Sequence, residues 1–137
     1  MTDATADTRS VIVERDLPFA PERVWRALTQ PHLIGEWLMR TDFEPVLGRP
    51  FTLTGDWGAV ACRVEAIEPE RSLSYTWDAF GLESVVTWTL TPSGAGTRLR
   101  MEQAGFRPEQ GQFLAGAEAS WPQLLTALEG LLAREGD

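Results

Sequence analysis

The stretch Glu109-Gln110-Gly111-Gln112-Phe113-Leu114-Ala115-Gly116-Ala117-Glu118-Ala119-Ser120-Trp121-Pro122-Gln123-Leu124-Leu125-Thr126-Ala127-Leu128-Glu129-Gly130-Leu131-Leu132-Ala133-Arg134 decides the fold. Phe113, Ala117, Trp121, Leu124, Leu125, Leu128, Leu131 and Leu132 recur at steps of three and four, which places them on one stripe of an α-helix. A stripe this apolar needs a cover. Pro122 cannot donate to the carbonyl of Glu118, so it either bends the helix or divides it. The stripe keeps its phase across Pro122, which predicts one bent helix. Gly111 and Gly116 weaken its N-terminal half, which is expected to be the more mobile.

Working outward, the preceding segments read as strands. Leu99, Met101 and Gln103 alternate with Arg98, Arg100 and Glu102. Val86, Trp88 and Leu90 alternate with Val85, Thr87 and Thr89, and Leu73, Tyr75 and Trp77 with Ser72, Ser74 and Thr76. Val60, Cys62 and Val64 share one face, as do Phe51 and Leu53. Period-two alternation with one apolar face predicts an antiparallel sheet wet on one side. Turns at Gly55–Gly58, Glu68–Arg71, Asp78–Leu82 and Pro92–Gly96 are short enough to pair neighbouring strands in sequence. Before them come a strand, Val11 to Leu17, and two short helices opened by Pro21 and Pro31. Val24, Trp25 and Leu28 form the inner side of the first helix, and Leu33, Ile34, Trp37 and Leu38 that of the second.

This order resembles a known family. The pieces that carry the resemblance are Phe19-Ala20-Pro21-Glu22-Arg23-Val24-Trp25-Arg26-Ala27-Leu28, Pro31-His32-Leu33 through Trp37, Thr91-Pro92-Ser93-Gly94 through Thr97-Arg98-Leu99, and Ser120-Trp121-Pro122 with Leu125, Leu128 and Leu132. Together they look like the heat-shock-protein ATPase activator (AHSA-like) family of the START/SRPBCC superfamily. That superfamily also holds the Bet v-type allergens and polyketide cyclases. The resemblance covers about Ser10 to Arg134. It implies an α+β helix-grip fold: a curved antiparallel sheet wrapped round the long C-terminal helix, with two short helices after the first strand. It also implies an apolar cavity between sheet and helix. The expected organisation is a disordered tail, residues 1–9, and a single domain, residues 10–135.

Composition narrows the function. The 137 residues carry a net charge of −8 and no lysine. An acidic surface repels phosphate backbones and anionic lipid headgroups, so neither nucleic acid nor membrane is expected as a partner. No apolar run approaches the ~20 residues that span a bilayer, and Met1 to Ser10 lack a signal core. Cytoplasmic localisation is therefore expected. The lone Cys62 forbids an intrachain disulfide.

No catalytic residue, metal site or cofactor is assigned. His32, the single histidine, opens a short helix and reads as solvated. Cys62 faces inward as a small hydrophobe. One His and one Cys cannot build a zinc centre. Gly94-Ala95-Gly96 joins two strands and lacks the helix N-terminus that would hold phosphate. Tyr75 and Gln103 have inward parity, and each would either orient a ligand or satisfy a structural hydrogen bond.

Six tryptophans in 137 residues are the most suggestive feature. Trp37, Tyr75, Trp77, Trp88, Met101, Gln103, Phe113, Trp121 and Leu125 are the candidate cavity lining. Trp57, Phe80, Leu82 and Phe106 fall in turns and are the candidate mouth or contact patch, where apolar groups mark a ligand entrance or a dimer face. The leading reading is a non-catalytic module that binds a small apolar or aromatic molecule. A cyclase- or dehydratase-like enzyme using the same cavity is the second reading, and a co-chaperone-like interaction domain the third.

Overall fold

The computed structural model describes residues 8–135. Most of the tail expected to lack structure lies outside the described residues, and strand β1 (Arg9–Leu17) begins one residue inside it. Helix α1 (Pro21–Thr29) starts with Pro21 in its first turn and Glu22 beside it. The Ala20 carbonyl accepts the amides of Arg23 and Val24. Gln30 leaves the helical conformation, which the following proline disfavours, and α2 (Pro31–Trp37) begins at once. Trp37 Nε1 locks the two helices by donating to the Ala27 carbonyl at 2.8 Å.

Six strands follow: β2 (Arg40–Thr41), β3 (Pro50–Gly55), β4 (Gly58–Glu68), β5 (Ser72–Ala79), β6 (Leu82–Ser93) and β7 (Gly96–Phe106). They pair in sequence as a meander. β1 closes the other edge against β7, giving the order β1-β7-β6-β5-β4-β3-β2. The register lines up Leu73, Trp88 and Met101 across β5, β6 and β7, and beside them Tyr75, Val86 and Gln103. These rows face inward and are buried, while Thr87, Thr89 and Arg100 alternate outward. At the end of β7, Gly105 is an extra residue against β1, with φ +119. A Cβ there would stand 2.8 Å from the Glu83 carbonyl oxygen, so only glycine fits the bulge.

Helix α3 (Gly111–Glu135) runs unbroken through Pro122, as the phase of its stripe predicts. Its C-terminal half grips the sheet through buried Trp121, Leu125, Leu128, Leu131 and Leu132. Arg15 of β1 steadies the proline turn, donating to Thr126 Oγ1 at 2.8 Å and to the Pro122 carbonyl at 3.3 Å. Arg23 of α1 donates to the Leu132 carbonyl at 2.7 Å, satisfying an acceptor that the helix end leaves open. The N-terminal half is different: no side chain between Gly111 and Ser120 is buried. That half overhangs the sheet.

Two expectations for the core need correction. Trp25 is half-buried at its margin, because α1 turns Val24, Ala27 and Leu28 inward instead. Leu82 and Phe106 are strand residues and buried, since β6 begins at Leu82 and β7 continues to Phe106.

Candidate ligand cleft

The overhang of α3 leaves a cleft of about 630 Å³ between its N-terminal half, the end of α2 and the far ends of the strands. Six aromatic rings line it: Trp57, Trp77, Phe80, Phe106, Phe113 and Trp121. The polar lining consists of Gln103, Gln112, Ser120 and Gln123. Every lining side chain is uncharged, in a chain with 20 acidic and 12 basic residues.

The turn residues form the lip. The β3–β4 and β5–β6 hairpins end side by side, and Trp57 and Phe80 from their tips meet at 5.7 Å between ring centroids. They are 55% and 67% exposed, an unusual state for two large rings in contact with each other. Phe80 has φ +54 and Gly81 φ +85, the pair of left-handed residues that a two-residue type I′ turn requires. Asn or Gly normally fills the first position. A bulky aromatic there is a backbone outlier. Arg107 and Gln110 hold the turn from the other side: Gln110 Nε2 donates to the Gly81 carbonyl at 3.2 Å.

The floor is a directional hydrogen-bond chain. Trp121 Nε1 donates to Gln103 Oε1 at 2.8 Å, Gln103 Nε2 to Ser84 Oγ at 3.0 Å, and Ser84 Oγ to the Trp77 carbonyl at 2.8 Å. From the cleft wall inward the rings Trp77, Trp121, Trp88 and Trp37 stand in file, with neighbouring centroids 5.4 to 5.7 Å apart.

Of the residues expected in a cavity, Trp77, Gln103, Phe113 and Trp121 line this cleft together with all four expected mouth residues. Trp37, Tyr75, Trp88, Met101 and Leu125 do not reach it. They are buried in the core behind it, because the Trp88 ring fills the space between sheet and α3. Tyr75 Oη accepts Trp88 Nε1 at 3.0 Å, a structural hydrogen bond. Burial pushes the Tyr75 hydroxyl above its ordinary range, and it pushes the Cys62 thiol up to about 12. Neither is poised to give up a proton near neutrality. His32 is exposed on α2, outside the cleft. Among the described residues no group of three or more His, Cys, Asp or Glu could hold a metal ion, and no helix is long and apolar enough to cross a membrane.

Sequence reasoning missed Gln112, Gly116, Ser120 and Gln123 on the cleft side of α3. The available signal was their position: Gly116 and Ser120 flank the apolar stripe next to Phe113 and Ala117, where small residues leave room for something else. Leu38 and Met39 at the end of α2 gave no such signal.

Fold and cleft together define a protein of the helix-grip, START-like class. The model of the family described as Activator of Hsp90 ATPase homolog 1-like protein matches residues 18–133, and the chain belongs to that family. Protein MLL2253 from Mesorhizobium loti is 53% identical, with a TM-score of 0.91 over 94% of this chain and 99% of that one. DynU16, encoded in the dynemicin biosynthetic locus, is 25% identical, with a TM-score of 0.80 over 93% of this chain and 47% of that one. The Aha1 dimer from Colwellia psychrerythraea shares the fold at 16% identity, with a TM-score of 0.82 over 90% of this chain and 96% of that one. No curated protein matches the chain.

Proposed function

We propose that the protein is a non-catalytic binding module that holds a small, uncharged, flat molecule in the cleft beneath α3. One observation carries the reading: a cleft of about 630 Å³ is walled by six aromatic rings and uncharged polar groups. The volume lies in the range of small-molecule sites, and such sites pair apolar walls with a few oriented polar groups. A charged ligand would lose its hydration without gaining a partner of opposite charge. The cyclase-like alternative needs a group able to move protons near neutral pH, whereas the wall offers amides, a hydroxyl and indoles. The setting of DynU16 in a biosynthetic locus is in keeping with small-molecule work in this family.

A second reading rests on the exposed Trp57–Phe80 lip and on the dimeric Colwellia relative: a second copy of the chain covers the lip. One titration addresses both. N-phenyl-1-naphthylamine, a neutral fluorophore, is expected to bind one per chain and to quench the tryptophans, because Trp57, Trp77 and Trp121 line the cleft. Anilinonaphthalene sulfonate, of nearly the same shape but anionic, is expected to bind more than tenfold more weakly. The comparison is made at high salt, which screens the net charge of −8. Equal affinity for the two would overturn the uncharged-ligand reading. Affinity that falls as protein concentration rises would favour the second copy as occupant.

A further inference from the structure

The floor of the cleft holds one hydrogen-bond donor for which the described residues show no partner. An indole N–H can only donate, so Trp121 fixes the oxygen of the Gln103 amide toward itself. A backbone carbonyl can only accept, so the Ser84 hydroxyl spends its hydrogen on Trp77. Ser84 Oγ must therefore accept from Gln103 Nε2. The chain of contacts thus fixes which end of the amide is nitrogen. An amide nitrogen carries two hydrogens, and this chain engages one. Gln103 is 2% exposed, yet it lines the cleft.

Resting on the reading of the cleft as a small-molecule site, we infer that the second amide hydrogen of Gln103 selects ligands carrying a carbonyl oxygen, so that the occupant class is neutral aromatic ketones and quinones. The donor is rigid, because both ends of its amide are held. It is surrounded by apolar rings, where a neutral hydrogen bond is worth most and an unmet one is most unfavourable. Rings such as Trp77 and Phe106 would flank the planar body of such a ligand while its oxygen meets Gln103.

The test compares fluorenone with fluorene, which differ by one carbonyl on the same flat frame. Each displaces N-phenyl-1-naphthylamine from wild type, Gln103→Glu and Gln103→Met. At pH 5 a carboxyl this buried keeps its proton. Its carbonyl can accept from Trp121 and its hydroxyl can donate to Ser84, so the chain survives without the spare hydrogen. The fluorenone-to-fluorene affinity ratio is expected to fall roughly fivefold in Gln103→Glu, the effect of one buried neutral hydrogen bond. Gln103→Met, which removes the amide but also frees the Trp121 N–H to donate in its place, is expected to give a smaller fall. An unchanged ratio in Gln103→Glu with both compounds still binding would overturn the role of Gln103 and leave the cleft reading intact. Failure of all three compounds to bind wild type would overturn the cleft reading itself.

Discussion

Trp121→Ala is expected to lower the unfolding free energy by about 3–5 kcal/mol, the range for deleting a large aromatic side chain from a packed core. The side chain is 2% exposed and stands against both Trp88 and Trp77. It is the first buried residue of α3, so it fixes where the helix leaves the sheet and the cleft begins. Truncation also leaves Gln103 Oε1 without its donor at the bottom of an apolar site, which adds to the loss. Urea unfolding followed by far-ultraviolet circular dichroism reads the change. Trp121→Phe should lose clearly less, since it keeps a ring while giving up the hydrogen bond. A loss below about 1 kcal/mol for the alanine variant would mean that the ring does not anchor the helix.

The second expected result separates binding from stability. Phe80→Asn is expected to leave the melting temperature unchanged or raised, while weakening N-phenyl-1-naphthylamine about tenfold. Phe80 sits at φ +54, and a left-handed backbone costs a bulky L-residue roughly 1–2 kcal/mol. Asparagine tolerates that conformation and suits the first position of a type I′ turn. The Phe80 ring gives little back to the fold, being 67% exposed and, among the described residues, in ring contact with Trp57 alone. Over an occupied cleft the same ring would lose much of its exposure, and burying a phenyl group contributes about 1.5–3 kcal/mol. That is a tenfold or greater change in affinity. A ring kept for stability would show the opposite pattern, a lower melting temperature with unchanged binding.

The outline of the fold was legible because burial writes a period into the sequence. The 3.6-residue stripe from Trp121 to Leu132 and the period-two runs around Tyr75, Trp88 and Met101 each match an observed element. Short turns also gave the meander. Turn boundaries were less legible: the glycine at position 81 marks the β5–β6 turn, but nothing local shows that Leu82 and Phe106 belong to strands. The position of β1 beside β7 is set by two helices and a crossover, which no local pattern records.

The candidate site was legible only as a set of inward aromatics. Parity says that Trp77 and Trp88 leave the same face of the sheet, not how far α3 lies from each. Trp88 is covered by α3 and by Trp37, and Trp77 is left half-open at the overhang. The same gap brings Gln112, Ser120 and Gln123 to the wall, although their polarity reads as an ordinary solvated helix face. The Gln103 chain joins β5, β6, β7 and α3, so it exists only once the tertiary structure has formed.

Native mass spectrometry of gently purified protein bears most directly on whether the cleft is a small-molecule site. The expected spectrum contains a bound neutral species of a few hundred daltons that is released on denaturation and reduced in Phe80→Asn. A clean apo mass, together with no saturable tryptophan quenching by N-phenyl-1-naphthylamine, would contradict the binding function and leave the aromatic lip as a protein-contact surface.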